Sequence, residues 1–203
     1  MQALAPYITQ SLGIDLSFSM VLEYNTSALN QGIPESEMSA VVGNLIDPSN
    51  TSSSELEVPE FYNFDIAAVG MGWHHFPNPS FAAKRLAKRL KPGGVLLIID
   101  LLPHERFDPI HKHGDVKGEG HGHGRAHSHG EETPDGYGDS KMEGAAAHTV
   151  THFGFREEDI KKMFEGAGVG VDFKFVVLEK DIVFGSEGKN MRRTAFMARG
   201  RKG

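Results

Sequence analysis

The sequence predicts an α/β three-layer sandwich built on a mostly parallel sheet that ends in an antiparallel hairpin. Three observations predict it. Short, continuous apolar runs recur at SLGID (11–15), SAVVGNLID (39–47), FDIAAVGMG (64–72) and VLLIID (95–100), and runs of this kind belong to parallel strands covered by helices on both faces. Amphipathic stretches alternate with these runs, as in a doubly wound sheet. Near the end, FKFVVLEKDIVF (173–184) and RRTAFMARG (192–200) are separated by too short a stretch for a crossover, so they pair antiparallel.

The connecting elements follow in order. Ser17 is placed to cap a helix whose inward face is Met20, Val21, Tyr24 and Ala28, with Gly32 just past its end. The polar stretch 49–57 reads as a loop. Asn78 and Pro79 open a second helix, Asn as its cap and Pro at its first position. Phe81, Ala82, Leu86 and Leu90 form its core face, while Lys84, Arg85, Lys88 and Arg89 form a basic outer face. Lys91-Pro92-Gly93-Gly94 stops that helix and turns the chain into the next strand. A third helix, from Glu157 to Ala167, turns Ile160, Met163, Phe164 and Ala167 inward.

Composition narrows the function. A length of 203 residues with 39% apolar content suits one domain with a real core. The net charge of −6 is spread without a basic stripe, which argues against binding driven by phosphate neutralisation. Arg192, Arg193, Arg199, Arg201 and Lys202 read as the solvated margin of the last strand. The absence of cysteine removes disulfides, thiolate catalysis and cysteine-based metal centres. No stretch approaches the roughly 20 apolar residues of a membrane span, and the start MQALAPYITQ lacks signal-peptide features. The expectation is a soluble, cytoplasmic protein that binds neither nucleic acid nor membrane.

Seven of the 11 histidines lie between His104 and His129, within a stretch of about 103–144 that is rich in glycine and charge. It reads as a flexible insert in a single domain over 1–203, with adventitious metal affinity and no defined metal site. It is also a candidate lid over substrate. A histidine-rich metal-binding protein is the alternative reading. His148 and His152 follow the insert, either bordering the same pocket or serving structure.

Four segments carry a resemblance. GIDLS (13–17), MSAVVGNLID (38–47), FDIAAVGMGWHHFPNP (64–79) and LAKRLKPGGVLLIID (86–100) resemble, in that order, the second to fifth strands of the class I S-adenosylmethionine-dependent methyltransferases of the type 11 kind, a Rossmann-like fold. The small-residue turn, HHF and the KPGG helix end are its most specific words. The resemblance covers residues 5–102 and 148–200. It implies S-adenosyl-L-methionine as cofactor and a small-molecule methyl acceptor. Asp15 is then placed for the ribose hydroxyls and Leu16 for the adenine face. Asn44 and Leu45 lie beside the base, and the Gly70 and Met71 backbone lies near the methionine part. His74 and His75 fall between cofactor and acceptor, as base or orienting group. Simpler roles stay open: Asp15 as a helix-capping acid, Asn44 as a turn residue, and the two histidines as packing and capping groups.

The family's first strand and glycine-rich turn are not found in this sequence, and Met1–Ser11 resembles the tail of the helix that follows them. The expectation is a form truncated at the N-terminus, whose second and fourth strands lack their shared neighbour. A chain that re-pairs its strands or borrows one within a homo-oligomer, and a non-catalytic remnant, are the alternatives. A dinucleotide-dependent dehydrogenase is disfavoured by the HHF turn and the terminal hairpin.

Overall fold

The computed structural model describes residues 7–47, 56–104, 149–184 and 191–203. The bulk of the histidine-rich stretch, His148 and most of the polar loop 49–57 lie outside these residues. The strands are β1 (Ser11–Asp15), β2 (Met38–Val42), β3 (Phe64–Gly70), β4 (Leu90–Leu101), β5 (Val171–Val177), β6 (Ile182–Phe184), β7 (Met191–Arg193) and β8 (Ala195–Arg201). The helices are α1 (Phe18–Asn30), α2 (Pro79–Arg89) and α3 (Glu157–Gly166), with single helical turns at Pro59–Phe61 and Trp73–His75.

Local chemistry sets the helix starts. The Ser17 hydroxyl accepts from the Met20 amide and the Asn78 carboxamide from the Phe81 amide at 3.0 Å, each satisfying an otherwise orphaned donor. Gly32, with φ +71°, sits just beyond α1 in the conformation glycine favours. The Asn25 side chain of α1 donates to the Ala40 carbonyl at 3.0 Å and accepts from its amide at 2.7 Å. It thereby ties α1 to β2 by satisfying backbone groups the β1 ladder leaves over.

Two sheets matter for the site. β1 and β2 form a parallel pair, Ser11 opposite Met38 and Asp15 opposite Val42. β3, β4, β8 and β5 form a second sheet in that order, parallel between β3 and β4 and antiparallel elsewhere. The terminal antiparallel pairing is as expected, with one correction. The run 173–184 is broken at 178–181, so β5 pairs β8 while β6 pairs β7. Among the described residues no ladder joins β1 to β3.

Burial on both faces holds for β4 and β8, whose edges are paired on both sides. It does not hold for β1 and β3, each paired on one edge only among the described residues: Ile66 is 53% exposed. The core gathers Trp73, Leu96, Ile98, Ile160, Phe164, Val169 and Phe196, all fully buried. Phe175 stacks on Phe196 at 4.6 Å and Phe164 meets Phe173 edge-on at 5.5 Å. On α2 the buried face is Ala82, Ala83 and Ala87, with Leu90 following and Leu86 packed partly buried against the core, whereas Phe81 is not part of that cluster; alanines let the helix lie close to the sheet. On α1, Val21 and Ala28 are buried but Met20 faces outward. No helix among the described residues is long and apolar enough to cross a membrane.

The end of α2 corrects another expectation. Gly93, at φ +77°, donates its amide to the Lys202 carbonyl at 3.0 Å, and the Lys202 amide donates to Gly94 at 2.8 Å. The Lys202 ammonium then donates to the Ala87 and Leu90 carbonyls at 2.9 and 2.8 Å. Lys202 is thus a helix C-cap, where positive charge and free carbonyls favour each other, and not a solvated margin. Lys202→Met keeps the aliphatic stem and removes the cap, so stability falls by about 1–2 kcal/mol. Urea unfolding reads this as a lower midpoint at unchanged slope.

Candidate active site

β3 and β4 run parallel with Gly70 opposite Ile99, so their carboxyl ends share one rim, where ligands of open α/β sheets bind. Gly70 ends β3 facing open space, since a Cβ there meets nothing within 4 Å. Met71 adopts φ 57° and donates its amide to the Ile99 carbonyl at 2.8 Å, which turns the chain out of the sheet. Trp73, fully buried and 5.2 Å from the Phe76 ring, anchors the turn that follows.

That anchoring aims His74 at the end of β4. Its Nδ1 lies 2.8 and 3.1 Å from the two carboxylate oxygens of Asp100, which is wholly buried. The His74 backbone amide donates to Oδ2 at 3.2 Å and the Leu101 amide to Oδ1 at 2.7 Å. A buried carboxylate must have its lone pairs satisfied, and here three N–H groups do so. Because Asp100 can only accept in this arrangement, the proton sits on Nδ1 and Nε2 is left as the accepting nitrogen. The His75 ring lies 4.1 Å from that of His74, and its Nδ1 is 3.0 Å from the Thr149 hydroxyl.

The segment leading into α3 straps this turn in place. The Thr151 and His152 amides both donate to the His74 carbonyl, at 3.0 and 3.1 Å, and the Thr151 hydroxyl donates to the His74 and Phe76 carbonyls at 3.0 Å. His152 packs on Phe155 at 5.3 Å.

The other expected site residues gather at the end of the β1–β2 pair. Asp15 and Leu16 are exposed, and the Gly43 amide donates to the Asp15 carbonyl at 2.9 Å. The Asp15 Oδ1 accepts from the Ser17 amide at 2.8 Å, and the Asn44 Oδ1 accepts from the Ile46 amide at 3.1 Å. Both side chains therefore serve turns as well. Leu45 is buried, and its carbonyl accepts from Arg85 Nε at 3.0 Å. The structure thus brings Asp15, Leu16, Asn44 and Leu45 together, and separately Gly70, Met71, His74 and His75. Among the described residues no hydrogen bond joins the two groups. An exposed carboxylate, an exposed apolar side chain beside a turn, and the clearance over Gly70 suit a nucleoside with an extended sulfonium arm.

Asp100, Thr149 and Thr151 were not among the sequence candidates. A signal for Asp100 existed: it is the lone charge ending a buried apolar strand, as Asp15 ends another. The threonines carried none.

Beside the Asn44 turn, Arg89 donates to the Leu56 carbonyl at 2.5 Å and to Glu57 at 2.6 Å, and lies 4.2 Å from the centre of the Tyr62 ring. Tyr62 donates its hydroxyl to Glu57. That bond, with the charges of Arg89 and Arg85, holds the Glu57 carboxyl below its ordinary value, and Glu57 in turn pushes the Tyr62 phenol up.

Residues 1–98 match the family model described as a methyltransferase domain. An uncharacterized methyltransferase of Schizosaccharomyces pombe is 34% identical over 101 residues, which cover 50% of this chain and 34% of that protein. The chain thus matches about a third of that curated relative's length. A candidate methyltransferase of Bacillus halodurans has the same fold, with a TM-score of 0.61 at 16% identity over 98% of this chain and 86% of its own. Phosphoethanolamine N-methyltransferase 2 of Haemonchus contortus, solved with phosphomonomethylethanolamine and S-adenosylhomocysteine, gives 0.57 at 14% identity over 99% of this chain and 45% of its own. The fold is that of the class I methyltransferases. The first 98 residues are thus similar to a methyltransferase domain, and the fold is shared with solved methyltransferases, one of which holds S-adenosylhomocysteine.

The Glu57 cluster makes stability depend on pH at both ends. A carboxyl lowered by folding stabilises fully above its ordinary value of 4.5, and that contribution fades as pH falls through the folded value. A phenol raised by folding stabilises below its ordinary value of 10.0, and that contribution fades as pH rises through the folded value. Urea midpoints measured across pH show both limbs in the parent, and Glu57→Gln flattens them.

Proposed function

We propose that the chain transfers a methyl group from S-adenosylmethionine to a small-molecule acceptor through an O–H, N–H or C–H site, with His74 as the base. One observation carries this reading: a fully buried carboxylate, Asp100, aligns an imidazole at the turn that follows β3. The cofactor, when bound, supplies a methyl group on a sulfonium that is already activated. What remains for the protein is alignment, exclusion of water and removal of the acceptor proton. Asp100 holds the Nδ1 proton of His74, so Nε2 receives the acceptor's proton and the charged ring is stabilised in place. His75, braced by Thr149, orients the acceptor. Asp15 takes the ribose hydroxyls, Leu16 covers the adenine face, Asn44 and Leu45 border the base, and the Gly70–Met71 backbone takes the methionine arm. Residues 1–203 act as one domain in this reading.

A second reading is a fold that persists without catalysis. The lack of a ladder between β1 and β3 among the described residues favours it, as does the engagement of Asp15 and Asn44 in turn hydrogen bonds.

Titration calorimetry with S-adenosylhomocysteine separates the two. One-site saturable binding is expected, and a cooperatively folded chain that releases no binding heat supports the second reading. Once an acceptor is found by S-adenosylhomocysteine release over an acceptor panel, His74→Gln and Asp100→Asn each lower kcat by about 10²–10⁴-fold, as loss of a general base does. Their affinity for S-adenosylhomocysteine stays at the parent value. A loss of only about two-fold in kcat, well short of that range, makes the pair a packing feature.

A further inference from the structure

We infer that Arg85 and Arg89 are positioning residues for the cofactor, holding the Asn44–Leu45 turn against α2. The inference rests on the reading that this turn borders the adenine.

The sequence places both arginines on the basic face of α2, apart from its core face, yet both turn inward. Arg89 is 4% exposed and the Arg85 side chain 14%. Taking a guanidinium out of water carries a cost that partners of suitable geometry offset, and here the Nε of Arg85 and the terminal nitrogens of Arg89 have them, while Arg89 Nε does not. Arg85 Nε takes the Leu45 carbonyl at 3.0 Å, and Arg89 Nη1 takes the Leu56 carbonyl at 2.5 Å. Both carbonyls belong to loop residues outside any strand ladder, one on each side of the segment 48–55. Glu57 completes the charge balance, 2.6 Å from Arg89 and 3.6 Å from Arg85.

The two anchors converge on Asn44 from either side. Leu56, itself only 2% exposed, lies against Gly43, where an added Cβ would come within 2.9 Å of its Cδ1. Arg89 holds Leu56 in that place, and Arg85 holds Leu45. Asn44 sits between Gly43 and Leu45, its Oδ1 committed to the Ile46 amide at 3.1 Å. The side chain is oriented by its own turn, and the turn is oriented by two arginines of α2, across 40 residues from Leu45 to Arg85 and 33 from Leu56 to Arg89. Neither arginine need touch the ligand for this to work.

The test compares the parent chain with Arg85→Lys, which keeps the charge and removes the Nε donor. Calorimetry with S-adenosylhomocysteine is expected to show binding about ten-fold weaker, the size expected for loss of one hydrogen bond to a charged group. Amide exchange at Ile46 is expected to quicken at the same time. Lys88→Ala, on the exposed side of α2, is expected to change neither. If Arg85→Lys binds S-adenosylhomocysteine as the parent does, the inference is overturned, even where its unfolding midpoint drops, because a merely structural residue lowers stability without changing affinity. Should Arg85→Lys not fold, Arg89→Gln is read by the same two measurements. If the parent binds no S-adenosylhomocysteine, the cofactor reading of the turn is what fails, and unchanged exchange at Ile46 in the variant overturns the clamp as well.

Discussion

Asp100 has no route to water, and much of the site's geometry follows from that. Its strand is hydrogen-bonded on both edges, to β3 and β8, and buried on both faces. A carboxylate in that position costs several kcal/mol unless each lone pair is met. Two of the three donors that meet it come from His74, one from the ring and one from the backbone. The turn Trp73–His75 is therefore held in one conformation by a burial constraint and not by helix or strand propensity. The same turn receives the Thr151 hydroxyl and two backbone amides, so the crossover into α3 is registered against it. Rigidity at the rim, which an imidazole base needs if it is to meet a proton at hydrogen-bond distance, arises from completing the hydrogen bonds of one buried acid.

Helix α2 serves two neighbours with two side-chain chemistries. Alanines at 82, 83 and 87 approach the sheet closely, while arginines at 85 and 89 reach the loop that follows β2. The helix thereby links the β1–β2 pair to the larger sheet, which no strand ladder does among the described residues. Lys202 closes the far end of this helix from the last strand, so both termini of α2 are capped by side chains.

The likeness to solved methyltransferases extends over nearly the whole chain at 14–16% identity. Such likeness at low identity is what packing tolerates: cores accept many combinations of apolar residues provided volume and pattern are kept. Among the described residues β1 and β3 belong to separate sheets. Ile66 on β3 stands exposed there, on a strand whose sequence reads as fully buried.

The elements were legible in the sequence where their causes are local. β1 was readable as the apolar run 11–15, and the starts of α1 and α2 from Ser17 and Asn78, because cap chemistry and periodicity act within a few residues. The antiparallel terminus was readable from the shortness of the connection between its runs. Asp15, Asn44, Gly70 and the two histidines were legible as candidates through the family resemblance of the segments that hold them. What the tertiary structure alone decided is which of them meet which partners: Asp100 with His74 across 26 residues, Arg85 with Leu45 across 40, Thr149 with His75 across 74 and Lys202 with Leu90 across 112. Periodicity marks a face as inward or outward but carries no record of what lies opposite. An arginine reads as solvated until a loop carbonyl is folded against it, and an acid at a strand end reads as a site or a cap until its burial is known.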